Sequence, residues 1–203
     1  MKTFLGVIGI AFVGLILLTG MVGCSVVTKV STLKQKNIAC DKEWSGVENT
    51  YQRRADLIPN LVAAIKGSAN FEHDTLTDVI KARQNVTNIN VKADDPESMK
   101  KFRDAQAHLS VATTNLMNFV REKYPKLATT SAFVGLMAQL EGTENRAAIA
   151  RGRYNDAVQA LNDDLVSPLG GLANMWANVK PREFFKMDER AKEVPKVDFE
   201  KKG

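Results

Sequence analysis

From Thr3 to Thr28 the chain carries no charged residue, and from Val30 onward apolar and polar positions alternate in steps of three and four. The steps fall on Val30, Leu33, Asn37, Cys40, Trp44, Val47, Tyr51, Arg54, Ile58, Leu61 and Ile65. A seam of this period predicts one long helix over 30–68, roughly 55 Å at 1.5 Å per residue. Pro59 lies inside it and lacks an N–H, which predicts a kink, or a break and restart. A second helix is expected over 71–88, with Phe71, Leu76, Val79, Ile80, Arg83 and Val86 on one side. Asp95 then reads as an N-cap and Pro96 as the first residue of a third helix, 96–123. Its apolar positions are Met99, Phe102, Leu109, Leu116, Met117, Phe119 and Val120. A fourth helix, 125–166, begins at Pro125 and has its own seam: Phe133, Met137, Leu140, Glu144, Ala147, Arg151, Tyr154, Val158, Leu161 and Leu165. Ser167-Pro168 stops it, and a short helix over 172–179 follows. The remainder is Lys- and Glu-rich and is expected to lie along the bundle or fray.

Short connections make consecutive helices antiparallel neighbours. The expected fold is therefore all-α, an elongated antiparallel up-down bundle of four long helices preceded by an N-terminal membrane segment. Residues 1–23 form that segment, 24–30 a membrane-proximal linker, 30–187 the bundle and 188–203 a charged tail.

The uncharged N-terminal run is long enough to cross a bilayer core, which takes roughly 20 residues. Lys2, the apolar stretch Phe4 to Leu18 and the box Met21-Val22-Gly23-Cys24 also resemble a bacterial lipoprotein signal, cleaved before Cys24 and lipidated on its thiol. Met21 departs from the usual Leu of that box. Lys29, Lys34, Lys36 and Lys42 follow the run, and the positive-inside rule would keep this flank of an uncleaved helix in the cytoplasm. A lipoprotein signal would send it across. The placement of Cys24 favours lipidation, with a single-pass helix as the alternative; both attach the chain to a bacterial membrane.

Composition removes several function classes. The chain has 203 residues, 44% hydrophobic and 25% charged, which suits a folded domain. A formal charge of +5 comes from bases interleaved with acids, not from a basic face, so no nucleic-acid partner is expected. Two Cys make no disulfide framework, and Cys40 reads as a core residue. A di-iron bundle needs Glu-x-x-His, whereas Asn70 and Ala105 precede His73 and His108 at that spacing. Asp104 and His108 share a helix face but make only half a metal site. Nucleophile-elbow, phosphate-loop and zinc-helix motifs are lacking. The expectation is a non-enzyme with no metal and no cofactor.

What interrupts the seams is charge. Arg54 stands in the first seam, beside Arg53 and Asp56, and Glu144 and Arg151 stand in the fourth, beside Asn145. Charges at a helix interface need partners. Pairs of Arg54 with Glu144 and Arg151 with Asp56 are expected if these helices are neighbours. Such a network would fix helix register, or it would form a polar pocket for a small anionic ligand.

The block Tyr51-Gln52-Arg53-Arg54-Ala55-Asp56-Leu57-Ile58-Pro59-Asn60-Leu61-Val62 resembles the signature of the LemA family of bacterial membrane proteins. So do Lys66-Gly67, the stretch from Leu140 to Asn155, and the segment from Trp176 through Phe184-Phe185 to Phe199. The chain departs from the family at Ser68, where Tyr is common, and at Glu72-His73-Asp74, where His-Glu is common. The resemblance implies a membrane-anchored helical bundle without an established activity or catalytic residues. The expected mode of action is contact with an unidentified protein partner in the cell envelope. Candidate surfaces are the helix face from Arg53 to Asn60 and the region of Trp176, Phe184 and Phe185; the alternative is a sensor of a small anion.

Overall fold

The computed structural model describes residues 2–67 and 73–186, and the charged tail 188–203 lies outside them. Six helices follow one another: α1 Lys2–Lys66, α2 His73–Thr87, α3 Pro96–Lys123, α4 Pro125–Ala128, α5 Ser131–Val166 and α6 Pro168–Ala177. The protein is all-α, with no strand among the described residues. α5 packs along α1, α2 pairs with α3 and also touches α1, and α6 packs on α1.

α1 is longer than its seam. Its 65 residues run without a break for about 97 Å. Residues 24–30, expected as a linker, are helical, because nothing from Ser25 to Val30 opposes helix and Val26 and Val30 pack against the bundle core. Pro59 does not end the helix either. It is exposed, so its ring meets solvent. The carbonyl of Ala55, whose partner at position 59 is missing, accepts instead from Arg83 Nε on α2 at 3.0 Å.

The other boundaries follow their caps. Asp95 accepts from the Glu97 N–H at 3.1 Å and starts α3 with Pro96 in its first turn, as the sequence predicts. α2 begins at His73; Phe71 lies outside the described residues. The fourth helix is divided where 125–166 was expected to be continuous. Thr130 adopts extended backbone and caps α5 through Phe133 N–H, so Pro125–Ala128 becomes a separate turn. α6 starts earlier than position 172, because Ser167 caps it through Gly170 N–H at 3.1 Å with Pro168 in the first turn. A Cβ on Gly170 would fall 1.6 Å from the Asp164 carbonyl oxygen. Only glycine lets α6 fold back this closely on the end of α5.

The core consists of two apolar clusters stacked along α1. One contains Leu33, Cys40, Trp44, Val47 and Tyr51 of α1 with Phe102, Tyr154, Val158, Leu161 and Phe185. The other contains Ile58, Leu61 and Ile65 with Leu76, Val79, Leu109, Leu116, Val120, Phe133 and Leu140. Trp44 meets Phe102 and Tyr154 edge-on at 5.7 and 5.3 Å, and Tyr51 meets Phe102 at 5.4 Å. Each such pair contributes about 0.5–1.5 kcal/mol beyond its burial.

Candidate functional site

A polar layer separates the two clusters. On α1 it falls at Arg54, between Tyr51 and Ala55; on α3 at Gln106 and Ser110, around Leu109; on α5 at Glu144 and Arg151, on either side of Ala147. Arg54 is 8% exposed. Its Nη1 donates to Glu144 Oε2 at 2.6 Å and its Nη2 to Ser110 Oγ at 3.1 Å. Arg151 Nη1 lies 3.9 Å from the other Glu144 oxygen and donates to the Tyr51 hydroxyl at 2.5 Å. One carboxylate thus stands between two guanidinium groups. Burial pushes the Tyr51 phenol up, and the neighbouring Arg151 only partly opposes that. Arg54 Nε and both amide atoms of the buried Gln106 have no hydrogen-bond partner.

The pair of Arg54 and Glu144 forms as the seams predict. The pair of Arg151 and Asp56 does not. Asp56 is two residues past Arg54, about 200° around the helix, and points to solvent. α5 runs antiparallel to α1, so Arg151 lies beyond Glu144 toward Tyr51, away from position 56. Arg53 and Asn145 are exposed and stay outside the layer. Tyr51 enters the layer from the apolar seam of α1, and Gln106 and Ser110, one turn apart on α3, are a polar break in an apolar face.

The aromatic residues of the C-terminal region separate. Trp176 is 63% exposed. Phe185 is 5% exposed and stacks on Tyr51 at 6.1 Å, and Phe184 is half-buried against the same cluster. Phe185 is core, not surface, because residues 179–186 do not fray. Three asparagines hold them. Asn174 bonds both the N–H and the carbonyl of Val179 at 2.8 and 3.0 Å. Asn162 does the same for Arg182 at 3.0 and 2.9 Å, and Asn155 for Phe185 at 2.8 and 3.2 Å. The tethered positions recur every third residue, around Pro181. The Arg182 guanidinium is buried against Asn37 Oδ1 and Asp41 Oδ1, the latter at 2.7 Å. Asn155 and Asn162 are seven residues apart on α5, a spacing that could have signalled this strap.

Cys40 is fully buried, which pushes its thiol up. Cys24 is exposed on the same helix, 16 positions and about 24 Å away, so the two do not pair. Among the described residues no group of three His, Cys, Asp or Glu could hold a metal ion. The chain has one described helix long and apolar enough to cross a membrane, α1, and the residues of that apolar stretch are not buried by the rest of the protein.

These features define a class: an all-α protein in which one helix carries both an uncovered apolar N-terminal stretch and the seam of a bundle. The chain matches the LemA family over residues 43–199, more than half its length, and belongs to that family. A search of curated proteins found no match.

Proposed function

We propose that this chain is a non-enzymatic bundle attached to the bacterial membrane, acting through protein contacts in the cell envelope. The observation that carries the reading is the continuity of α1, which joins an unburied apolar stretch to the bundle core in one helix. Attachment is by a lipid on Cys24 or, as the alternative, by a single span. The partner surface is the exposed row Arg53, Asp56, Pro59 and Asn60, on the side of α1 away from the seam. A well-defined row of charged and polar groups on a rigid helix favours specific docking.

Attachment is tested by the mass and membrane partition of wild type beside Cys24→Ala. A mature, lipidated species that disappears in the variant supports the lipid anchor, and a full-length membrane species in both supports the span. A soluble protein in both refutes attachment. Docking is tested in intact membranes with a photoreactive residue at Asn60 and a control at Gln159. The expected adduct forms from position 60 alone and fades with Arg53→Glu. Equal adducts from both positions refute the assignment.

A second reading, binding of a small anion in the polar layer, is favoured by the unpartnered Arg54 Nε and Gln106 amide. Its discriminating variant is Glu144→Gln, treated in the Discussion.

A further inference from the structure

α6 is built with its large side chains facing outward. Its buried positions are small, Gly170, Ala173 and Ala177, and these face the bundle. Its large apolar residues are exposed: Leu169 48%, Leu172 40%, Met175 76% and Trp176 63%, with Val166 just before it at 84%. A helix that ended its role in the soluble fold would bury the large residues and expose polar ones. No residue from Leu165 to Val179 is charged.

This face continues into the apolar part of α1. A groove of about 650 Å³ runs between them, with α1 from Thr19 to Val30 on one wall and Leu172 and Trp176 on the other. Two uncharged segments, 3–28 and 165–179, therefore meet at one end of the bundle. At their border one carboxylate stands between two lysines: Asp164 lies 2.9 Å from Lys29 and 2.8 Å from Lys36. These two lysines hold its carboxyl below the usual range. Lys29, the first charge after the apolar run, is thereby paired where it would otherwise oppose an apolar environment.

The occupant follows from length. A hydrocarbon core of roughly 30 Å takes about 20 helical residues, so a run starting at Thr3 leaves the core near Val22. The next five or so residues, to about Val27, cross the headgroup layer. Of these, Val22, Gly23, Val26 and Val27 line the groove with Leu172 and Trp176, and Thr19 and Val30 extend it on either side. Trp is the residue that settles at this depth, and a short helix with one apolar face lies in this plane. We propose that α6 is an interfacial helix: Leu172, Met175 and Trp176 insert at the headgroup–acyl boundary of the bilayer that α1 enters, and fix how the bundle stands on the membrane. The proposal rests on the single-span form of the attachment proposed above, in which residues 3–23 are retained.

The test uses the full chain in phosphatidylcholine–phosphatidylglycerol vesicles. The protein has two tryptophans, and Trp44 is buried in the core, so Trp176 is the reporter. Lipids brominated in the upper acyl chain should quench about half of the emission, that of the tryptophan at the interface, and aqueous iodide should not reach it. Trp176→Phe should remove the lipid quenching. The double change Leu172→Glu with Met175→Glu alters only exposed positions; it should restore iodide quenching while the protein still floats with the vesicles. A floating protein whose Trp176 responds to iodide and not to bromolipid overturns the proposal and leaves attachment intact. So does a Trp176 shielded from both quenchers with copies cross-linked through α6, which would make a second chain the cover. Failure to float overturns attachment itself, and this inference with it.

Discussion

Arg83 Nε donates to the carbonyl oxygen of Ala55 at 3.0 Å, from α2 to the middle of α1. That carbonyl would bond the N–H of residue 59, and residue 59 is proline. A side chain from another helix thus replaces the backbone bond that the proline removes. Arg83→Met should destabilise by about 1 kcal/mol, the ordinary net value of such a bond. In a Pro59→Ala background the backbone bond returns, and Arg83→Met should cost less. A double-mutant cycle by urea unfolding measures the difference. Equal costs in both backgrounds would break the link between Pro59 and Arg83.

Glu144→Gln separates the two roles open to the polar layer. The carboxylate balances two guanidinium groups, both of them nearly buried. Removing a fully buried partner costs about 3–5 kcal/mol. The Glu144 side chain is 44% exposed, so solvent screens much of this. The expected loss is about 1–2 kcal/mol, or roughly 2–8 °C in Tm. A rise in Tm would favour a ligand site, where function is held at the expense of stability. Gln106→Leu should be neutral or stabilising, since its amide has no partner to lose.

Asn162→Ala should loosen the strap. It leaves the Arg182 N–H and carbonyl without the partners they have now. The expected cost is about 1–3 kcal/mol for unsatisfied groups. Hydrogen exchange should quicken across 179–186 while α3 keeps its protection. Uniform quickening throughout the bundle would show that the strap is not a separate cooperative unit.

Alkaline pH should unfold the protein through its buried phenols. Burial pushes Tyr154 up to about 12 from an ordinary 10.0, and Tyr51 shifts the same way. A raised folded value favours the protonated phenol. The associated stability is complete below pH 10 and is lost as the pH rises from about 10 through about 12, on the order of 2 kcal/mol for Tyr154. Chemical unfolding at several pH values should show a flat region at neutral pH and a fall above about 10. Tyr154→Phe should shallow that fall. An unchanged slope in the variant would assign the loss to other groups.

The seams of α1 and α5 were legible because burial on a helix repeats every three or four residues. Leu33, Cys40, Trp44, Val47, Tyr51, Ile58, Leu61 and Ile65 are all buried as their spacing predicts. The interruptions at Arg54, Glu144 and Arg151 were legible for the same reason, as charges where the period demands apolar groups. Asp95-Pro96 announced α3 because cap chemistry is local. The cap at Thr130 is equally local but lies inside a longer apolar pattern, and Ser167, legible as the stop of the fourth helix, also caps α6.

Tertiary structure alone decided the rest, since it depends on atoms distant in sequence. Arg151 chose Tyr51 and Glu144 over Asp56 because the antiparallel offset of α5 sets its height along α1. Pro59 stayed within a helix because Arg83 supplied the missing donor. Phe185 became core because asparagines 155, 162 and 174 satisfied the backbone of an extended segment that has no ladder of its own. The sequence alone determined an all-α chain with an apolar N-terminal run and charged seams. Which charge met which, and which aromatic ring was covered, waited on packing, because a periodic pattern specifies a face and not the partner that fills it.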